Sequence, residues 1–196
     1  METAKKHFPL LGVQIRISSR VWLGQAEGIA NIIKSLYSDF PNLGVVFDGW
    51  SLSGKEDSLS INWSMIESEK AVMEEILSLI PPTINTYSAL GATTYETVVW
   101  WSQAIDVGIT PLGAGITFSL LWIGNNPNVI VHSATPFLNW CADDVTTSKY
   151  RENVKSQILV SNKSIVDAHN YNYDCDWEVI YNAALKLIQN LTQERQ

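Results

Sequence analysis

AIDVGITPLGAGITFS, residues 104–119, carries the clearest structural signal in the chain. An apolar run at 105–109 stops at a Thr-Pro pair, small residues follow at 113–115, and a second apolar run fills 116–123. This order predicts a strand, a tight turn and the start of a helix. Small residues allow a ligand to approach the backbone closely, and the N–H groups at a helix N-terminus favour anionic oxygen. The turn is therefore interpreted either as a phosphate-binding turn or as a packing turn between a strand and a helix.

The turn differs at one position from the fingerprint of dinucleotide-binding proteins. That fingerprint has a third glycine, which lets the helix pack closely against the strand, where this chain has Phe118. The sequence therefore predicts no NAD site.

Strands and helices alternate along the rest of the chain. Apolar runs predict strands at 9–17, 43–47, 83–88, 105–109, 128–132 and 157–160, and helical periodicity predicts helices at 24–40, 65–80, 93–104, 116–123, 148–156 and 176–192. This alternation is typical of an α/β, doubly wound, Rossmann-like fold with a mostly parallel sheet of about five or six strands and helices on both faces. The length suits a single domain, 1–196, which is either complete in itself or half of a two-domain enzyme.

The composition is that of a folded protein with an excess of acidic residues. The chain has 196 residues, of which 46% are hydrophobic, and a formal net charge of −7. A negative net charge disfavours a general nucleic-acid surface and an anionic-membrane surface. No apolar segment reaches the length of a membrane span, and Cys141 and Cys175 lack the spacing of a metal site. We expect a cytoplasmic protein with no metal, no cofactor, no membrane span and no nucleic-acid partner.

Eight residues form the candidate substrate-binding set, because ligands of open α/β sheets bind beyond the carboxyl ends of the strands. They are Arg16, Arg20, Asp48, Glu96, Gly113, Ala114, Gly115 and Thr117. An arginine beside a glycine turn suits a diphosphate, since a guanidinium pairs with two oxygens at once.

The charged members of this set also have structural interpretations. Arg20 is either a ligand contact or a solvated loop charge, and Arg16 either binds the ligand or pairs with Asp48 inside the fold. Glu96 either accepts hydroxyl groups of a ribose or favours the N-terminus of its own helix.

Four further residues near the predicted strand ends are open to interpretation. His132 is either a base or a hydrogen-bonded scaffold residue, and Asp106 is expected to be structural. Trp22 and Trp50 either stack on a base or sugar or cover their own loops. No Ser/His/Asp order, carboxylate pair or metal cluster stands out, so the catalytic residues stay unassigned.

A family resemblance can be stated on these residues. The residues that carry it are Glu96, Ala104-Ile105-Asp106, the TPLGAG turn at 110–115, Trp122, Pro127 and Val129. They resemble the donor-binding, C-terminal half of two-domain (GT-B) glycosyltransferases, where an acidic helix, a strand, a GAG turn and a helix follow one another. The segments around Arg16 and Asp48 fit the same half in their order.

The resemblance implies a nucleotide-diphosphate sugar as donor, transferred to a glycan or another acceptor, as in polysaccharide biosynthesis. It implies that the diphosphate binds the amides of 113–115 with help from Arg16 or Arg20, that the ribose lies near Glu96, and that no metal is required.

The chain departs from this family in its length, which is about half the usual one. The acceptor-binding domain, which often supplies the catalytic base, has no counterpart here. The chain is therefore expected to be a donor-binding domain that needs an acceptor-binding domain or partner subunit. The alternative is a non-catalytic Rossmann-like binding or interaction module.

Overall fold

The computed structural model describes residues 1–52, 59–113, 128–134, 158–162, 165–167 and 171–195. A short 3-10 helix, Ala4–Lys6, precedes the first strand. The strands are β1 Leu10–Gln14, β2 Gly44–Asp48, β3 Asn85–Ser88, β4 Val107–Pro111, β5 Val129–Ala134, β6 Ile158–Asn162, β7 Ile165–Asp167 and β8 Asn172–Tyr173, and the helices are α1 Gln25–Asp39, α2 Leu59–Leu79, α3 Thr94–Gln103 and α4 Trp177–Glu194.

Six strands form one parallel sheet in the order β3-β2-β1-β4-β5-β6. β1 lies in the middle of the sheet, where Val13 pairs with Phe47 of β2 on one side and with Ile109 of β4 on the other. The strand order reverses between β1 and β4, which is where ligands bind in sheets of this kind. The predicted α/β fold with a parallel sheet is confirmed.

Helices cover both faces of the sheet, as predicted. Alternate residues of a strand point to opposite faces, so Leu11 and Val13 of β1 pack into the core formed with α1 and α4. Leu10 packs into a second core on the other face, together with Trp101 of α3. A fully buried side chain of this size contributes roughly 1.5–3 kcal/mol, so both faces stabilise the central strand.

The capping residues of two helices agree with the sequence. Thr93 caps α3 in a capping box with Glu96, and Asp176 caps α4 by accepting a hydrogen bond from the Glu178 N–H. The edge strand predicted at 157–160 is β6. The helices predicted at 116–123 and 148–156 lie outside the described residues.

One prediction about β4 is wrong, because the strand continues through the Thr-Pro pair to Pro111. The N–H groups of Gly108 and Leu112 donate towards β5. Position 111 therefore faces β1, and pairing with β1 ends at Ile109. A proline is tolerated here because no strand partner needs its missing N–H.

The β7–β8 hairpin was not predicted from the sequence. It forms a separate two-stranded antiparallel sheet just before α4, and Tyr173 of β8 forms an isolated bridge with Trp22 in the loop after β1. The hairpin thereby reaches the edge of the main sheet at which the candidate site lies.

Candidate functional site

The candidate site lies at the carboxyl ends of β1 and β4. The Thr110 hydroxyl donates a hydrogen bond to the side-chain oxygen of Gln14. This bond joins the ends of the two strands at the point where the strand order reverses. The crevice of a doubly wound sheet opens at such a point.

Arg16 and Gly113, two residues of the predicted set, are in direct contact at this point. A Cβ on Gly113 would overlap Nη1 of Arg16 and lie 3.1 Å from its Cζ. The guanidinium therefore rests on the Gly113 backbone, in space that only a glycine leaves open. Arg16 and Gly113 therefore lie at one place, and ligand binding by the predicted set stays a prediction.

The Arg16 side chain is held by its own loop. Its Nε donates to the carbonyl oxygens of Ser18 at 3.2 Å and Ser19 at 2.7 Å. Within the described residues, no hydrogen bond engages Nη1 or Nη2. Burial and the nearby charge of Arg20 lower the pKa of Arg16, so the site concentrates positive charge.

The loop that carries Arg16 and Arg20 is fixed at both ends. The Gln25 side chain bonds both the N–H and the carbonyl of Arg16. The backbone of Tyr173 pairs with Val21 and Leu23 at 3.0 Å and 2.7 Å. Arg20 itself has a φ of 60°, a left-handed conformation that costs a non-glycine residue roughly 1–2 kcal/mol. Such strain persists only where the surroundings impose it.

Two buried carboxylates lie at the end of β2, next to this loop. Asp48 is 1% exposed, and its Oδ2 accepts a 2.7 Å hydrogen bond from Trp101 Nε1. Its other oxygen, Oδ1, is buried without a partner among the described residues. Burial raises the pKa of Asp48 from 3.8 to about 6, against the lowering effect of the Trp101 hydrogen bond and of the nearby Gly49 N–H, which makes no geometric hydrogen bond to the carboxylate.

The second carboxylate is Glu69 of α2, which is 3% exposed. Its Oε2 accepts a 2.7 Å hydrogen bond from the Trp50 N–H, and a Cβ on Gly49 would lie 2.6 Å from its Cδ. Burial raises the pKa of Glu69 from 4.5 to about 7. The hydrogen bond from the Trp50 N–H and the positive charge of Arg16 lower this pKa, and the negative charge of Asp48 raises it. Glu69 therefore interacts electrostatically with Asp48 and with Arg16.

The structural interpretation of Arg16 as the ion-pair partner of Asp48 is not met. Among the described residues the ion pairs are Lys5–Glu2, Lys70–Glu67 and Arg195–Asp106. The Asp48 carboxylate is directed to Trp101 on the α3 face of the sheet, whereas Arg16 lies over Gly113. Within the described residues, Arg16 therefore belongs to no buried ion pair.

Glu96 lies apart from Arg16 and Gly113. It follows β3, the edge strand, and β2 separates β3 from β1. Its Oε2 accepts from the N–H and hydroxyl of Thr93 at 2.9 Å and 2.8 Å, and these bonds lower its pKa. The structural interpretation, a group at the N-terminus of its own helix, describes these contacts, and ribose binding stays a prediction.

Three members of the predicted set, Ala114, Gly115 and Thr117, lie outside the described residues. Asp106 is structural, as expected, because it accepts from the Leu10 N–H at 2.8 Å and pairs with Arg195 at 2.6 Å.

The other sequence candidates take different positions. His132 is a scaffold residue, since its Nδ1 lies 2.8 Å from the Tyr173 hydroxyl and burial lowers its pKa to about 3. Trp22 is 3% exposed and covers its loop, while Trp50 is 39% exposed, with Nε1 bonded to Asn62.

Sequence reasoning missed Glu69 and Tyr173. Glu69 stands three positions from both Ile66 and Val72, on the apolar side of α2, and an acidic residue in an apolar stripe is a detectable signal. Tyr173 has no comparable signal, because its partners are far away in the sequence.

Two general features of the described part of the chain bear on its chemistry. Its His, Cys, Asp and Glu side chains nowhere form a group of three that could hold a metal ion. None of its helices combines the length and the apolar character needed to cross a membrane.

Fold and site together define a Rossmann-like α/β domain with an arginine at the switch point of the sheet. No protein-family model matches the chain, and no curated protein matches its sequence. Among solved structures, α,α-trehalose 6-phosphate synthase from Burkholderia multivorans is similar over 96% of this chain and 40% of its own, with 11% identity and a TM-score of 0.44. Tyrosyl-tRNA synthetase from Leishmania major in complex with tyrosinol is similar over 96% and 36%, with 13% identity and a TM-score of 0.32.

The chain therefore spans less than half the length of either structure. Both TM-scores are too low to establish a common fold, so the fold class rests on the strand order and pairing of the sheet itself.

Proposed function

We propose that the carboxyl edge between β1 and β4 binds the diphosphate of a nucleotide sugar, and that the chain is the donor-binding domain of a glycosyltransferase. The observation that carries the proposal is the contact of Arg16 with Gly113 at the switch point. A guanidinium held by Nε, beside a turn that opens the backbone, is suited to two adjacent phosphate oxygens.

The proposed contribution to the reaction is electrostatic. Transfer of the sugar leaves a nucleoside diphosphate, on which negative charge develops as the glycosidic bond breaks. Arg16, with Arg20 nearby, stabilises that charge in a partly buried site, where a fixed cation is more effective than in water. The acceptor and the catalytic base are assigned to a second domain or a partner subunit.

The proposal is tested by isothermal titration of the chain with UDP, GDP, ADP, CMP and inorganic pyrophosphate. We expect at least one nucleoside diphosphate to bind, and Arg16→Ala to weaken that binding about 10- to 100-fold, since a hydrogen bond to a charged group contributes roughly 1.5–3 kcal/mol. At pH 6, where Glu69 is mostly neutral and needs no cation, the melting temperature should change little, because the described bonds of the Arg16 side chain are to two exposed loop residues.

Lys34→Ala is the matched control for this experiment. It removes the same unit of positive charge from an exposed position in α1, so it reproduces any effect of net charge alone. Unchanged affinity in Arg16→Ala, or an equal loss in Lys34→Ala, contradicts the proposal. The absence of binding by every nucleoside diphosphate contradicts it as well.

Gly113→Ala is expected to weaken the same binding about tenfold while costing less than about 1 kcal/mol of stability. The new Cβ displaces the end of the flexible Arg16 side chain, and Gly113 does not have the left-handed φ that disfavours alanine. Titration of the single and double variants measures the coupling. In the Arg16→Ala background, Gly113→Ala should have no further effect, and an independent loss there shows that Gly113 acts without Arg16.

A further inference from the structure

Glu69 is a buried carboxylate that the proposed diphosphate contacts leave unused. It projects from α2 to the end of β2, where it receives the Trp50 N–H at 2.7 Å and lies against Gly49. It is 3% exposed although glutamate is almost never fully buried without a partner. A carboxylate in such a position needs a nearby group that balances its charge.

The groups that act on Glu69 come from two neighbouring strands. From β2, Asp48 adds a second negative charge, and its Oδ1 is buried without a partner among the described residues. The N–H of Ile15, the residue before Arg16, donates to the Asp48 carbonyl at 2.8 Å, so the loop after β1 starts beside the strand end that Glu69 contacts. From this loop, Arg16 adds the positive charge that favours the ionised form. The charged residues of α1, which packs on α2, are Glu27, Lys34 and Asp39, and all three are exposed.

On α2 itself, Glu67 and Lys70 form a pair 2.7 Å apart, and Glu74 and Glu75 are exposed. Within the described residues, Arg16 is therefore the cation that acts on the ionised Glu69 carboxylate. It is also the cation that we assign to the ligand. The Glu69 carboxylate and the bound anion are therefore both stabilised by the positive charge of Arg16.

We propose that Glu69 takes up a proton when an anionic ligand binds Arg16, so that binding at this site is coupled to proton uptake. An ionised Glu69 beside Asp48 and a bound diphosphate would be a buried negative charge between two others, and protonation removes that repulsion. The neutral carboxyl still accepts the Trp50 N–H, so the loop after β2 keeps its position. This inference rests on the proposed function only for the identity of the anion.

Proton uptake makes affinity depend on pH in a defined direction. The pKa of Glu69 is about 7 before binding and is raised by the ligand, so affinity falls as the pH rises above 7. One coupled proton gives about a tenfold loss of affinity between pH 6 and pH 8. Glu69→Gln keeps an acceptor for the Trp50 N–H but cannot take up the proton.

The experiment is titration calorimetry of the wild type and Glu69→Gln with UDP, GDP and ADP and with inorganic pyrophosphate, at pH 6, 7 and 8, in buffers of different ionisation enthalpy. Protonation of the probe itself is common to both proteins, so their difference reports the protein. When the ligand binds at pH 8, we expect the wild type to take up as much as one proton more than Glu69→Gln. The affinity of the variant should exceed that of the wild type there, and the two should converge at pH 6.

Glu74→Gln, an exposed change on the same helix, is the control and should behave as the wild type. Equal proton uptake by wild type and Glu69→Gln overturns this inference and leaves the proposed function standing. Binding of pyrophosphate but not of nucleotides, with the expected difference in proton uptake, supports the inference and overturns the nucleotide-sugar proposal. Absence of binding by all four probes overturns this inference and the proposed function, and a melting curve confirms that each variant is folded.

Discussion

The free energy of unfolding is expected to lose about 4 kcal/mol through Asp48 and Glu69 as the pH rises from 5 to 8. Both carboxyls have a higher pKa in the folded protein, about 6 and about 7, than their ordinary values of 3.8 and 4.5. Over this window the folded state therefore holds protons that the unfolded state has released. Stability is highest below the ordinary pKa values and is lost as the pH rises through the folded ones.

His132 contributes with the opposite sign. Its pKa of about 3 in the folded protein lies below the ordinary 6.5, so its neutral form costs stability at pH 5 and nothing at pH 8. The cost at pH 5 is about 2 kcal/mol. The net change in the wild type is therefore smaller than the contribution of the carboxyls alone.

Urea denaturation of the wild type and the double variant Asp48→Asn/Glu69→Gln, at pH 5 and pH 8, separates these contributions. Both proteins contain His132, so its contribution to the free energy of unfolding cancels in the comparison. The stability of the double variant relative to the wild type should rise by about 4 kcal/mol from pH 5 to pH 8. Tryptophan fluorescence of the purified chain reports its unfolding. A relative stability that is the same at both pH values contradicts the prediction.

Trp101→Phe is expected to destabilise the fold by about 3 kcal/mol at pH 8. The indole is 2% exposed in the core beneath α3, and it supplies the hydrogen bond that Asp48 Oδ2 accepts. The substitution leaves a gap and removes that donor from a buried carboxylate whose Oδ1 is already without a described partner. The cost should be smaller at pH 5, where Asp48 is mostly neutral.

The matched control is Trp63→Phe in α2, because Trp63 is 46% exposed. That change should alter stability by less than about 0.5 kcal/mol. In an Asp48→Asn background the cost of Trp101→Phe at pH 8 should shrink, since no buried charge is then left unpaired. A cost that is independent of pH and of residue 48 assigns the effect to packing alone.

The fold class was predictable because its signals are local. Apolar runs marked β1, β2 and β5, and helical periodicity marked α1 and α4. For the start of α3 the sequence offered Thr93 or Thr94 as the cap, and Thr93 is the cap. The order of the strands was left to general rules, since no local pattern states which strands pair. The continuation of β4 through Pro111 escaped prediction because it depends on pairing with β5, which no local pattern in β4 expresses, while pairing with β1 ends at Ile109.

The candidate site was predictable to a smaller extent. Arg16 and Gly113 were expected at one sheet edge because Arg16 lies near the end of the predicted strand 9–17 and Gly113 follows the predicted strand 105–109, and they are in contact. Glu69 belongs to the middle of α2, where periodicity indicates only which face is apolar. Its place beside Asp48 results from how α2 packs on the sheet, which the sequence of α2 does not express.

The attachment of Tyr173 to the loop after β1 determines when, during synthesis of the chain, this loop can take its final position. The arginine-bearing loop is synthesised early, yet the backbone of Tyr173 that pairs with Val21 and Leu23 leaves the ribosome some 150 residues later. The segments of β1, β2 and α1 are thus synthesised long before the residue that fixes the arginine-bearing loop. If this loop binds an anion as proposed, binding would be a late event of biogenesis and would mark chains that have been made as far as β8.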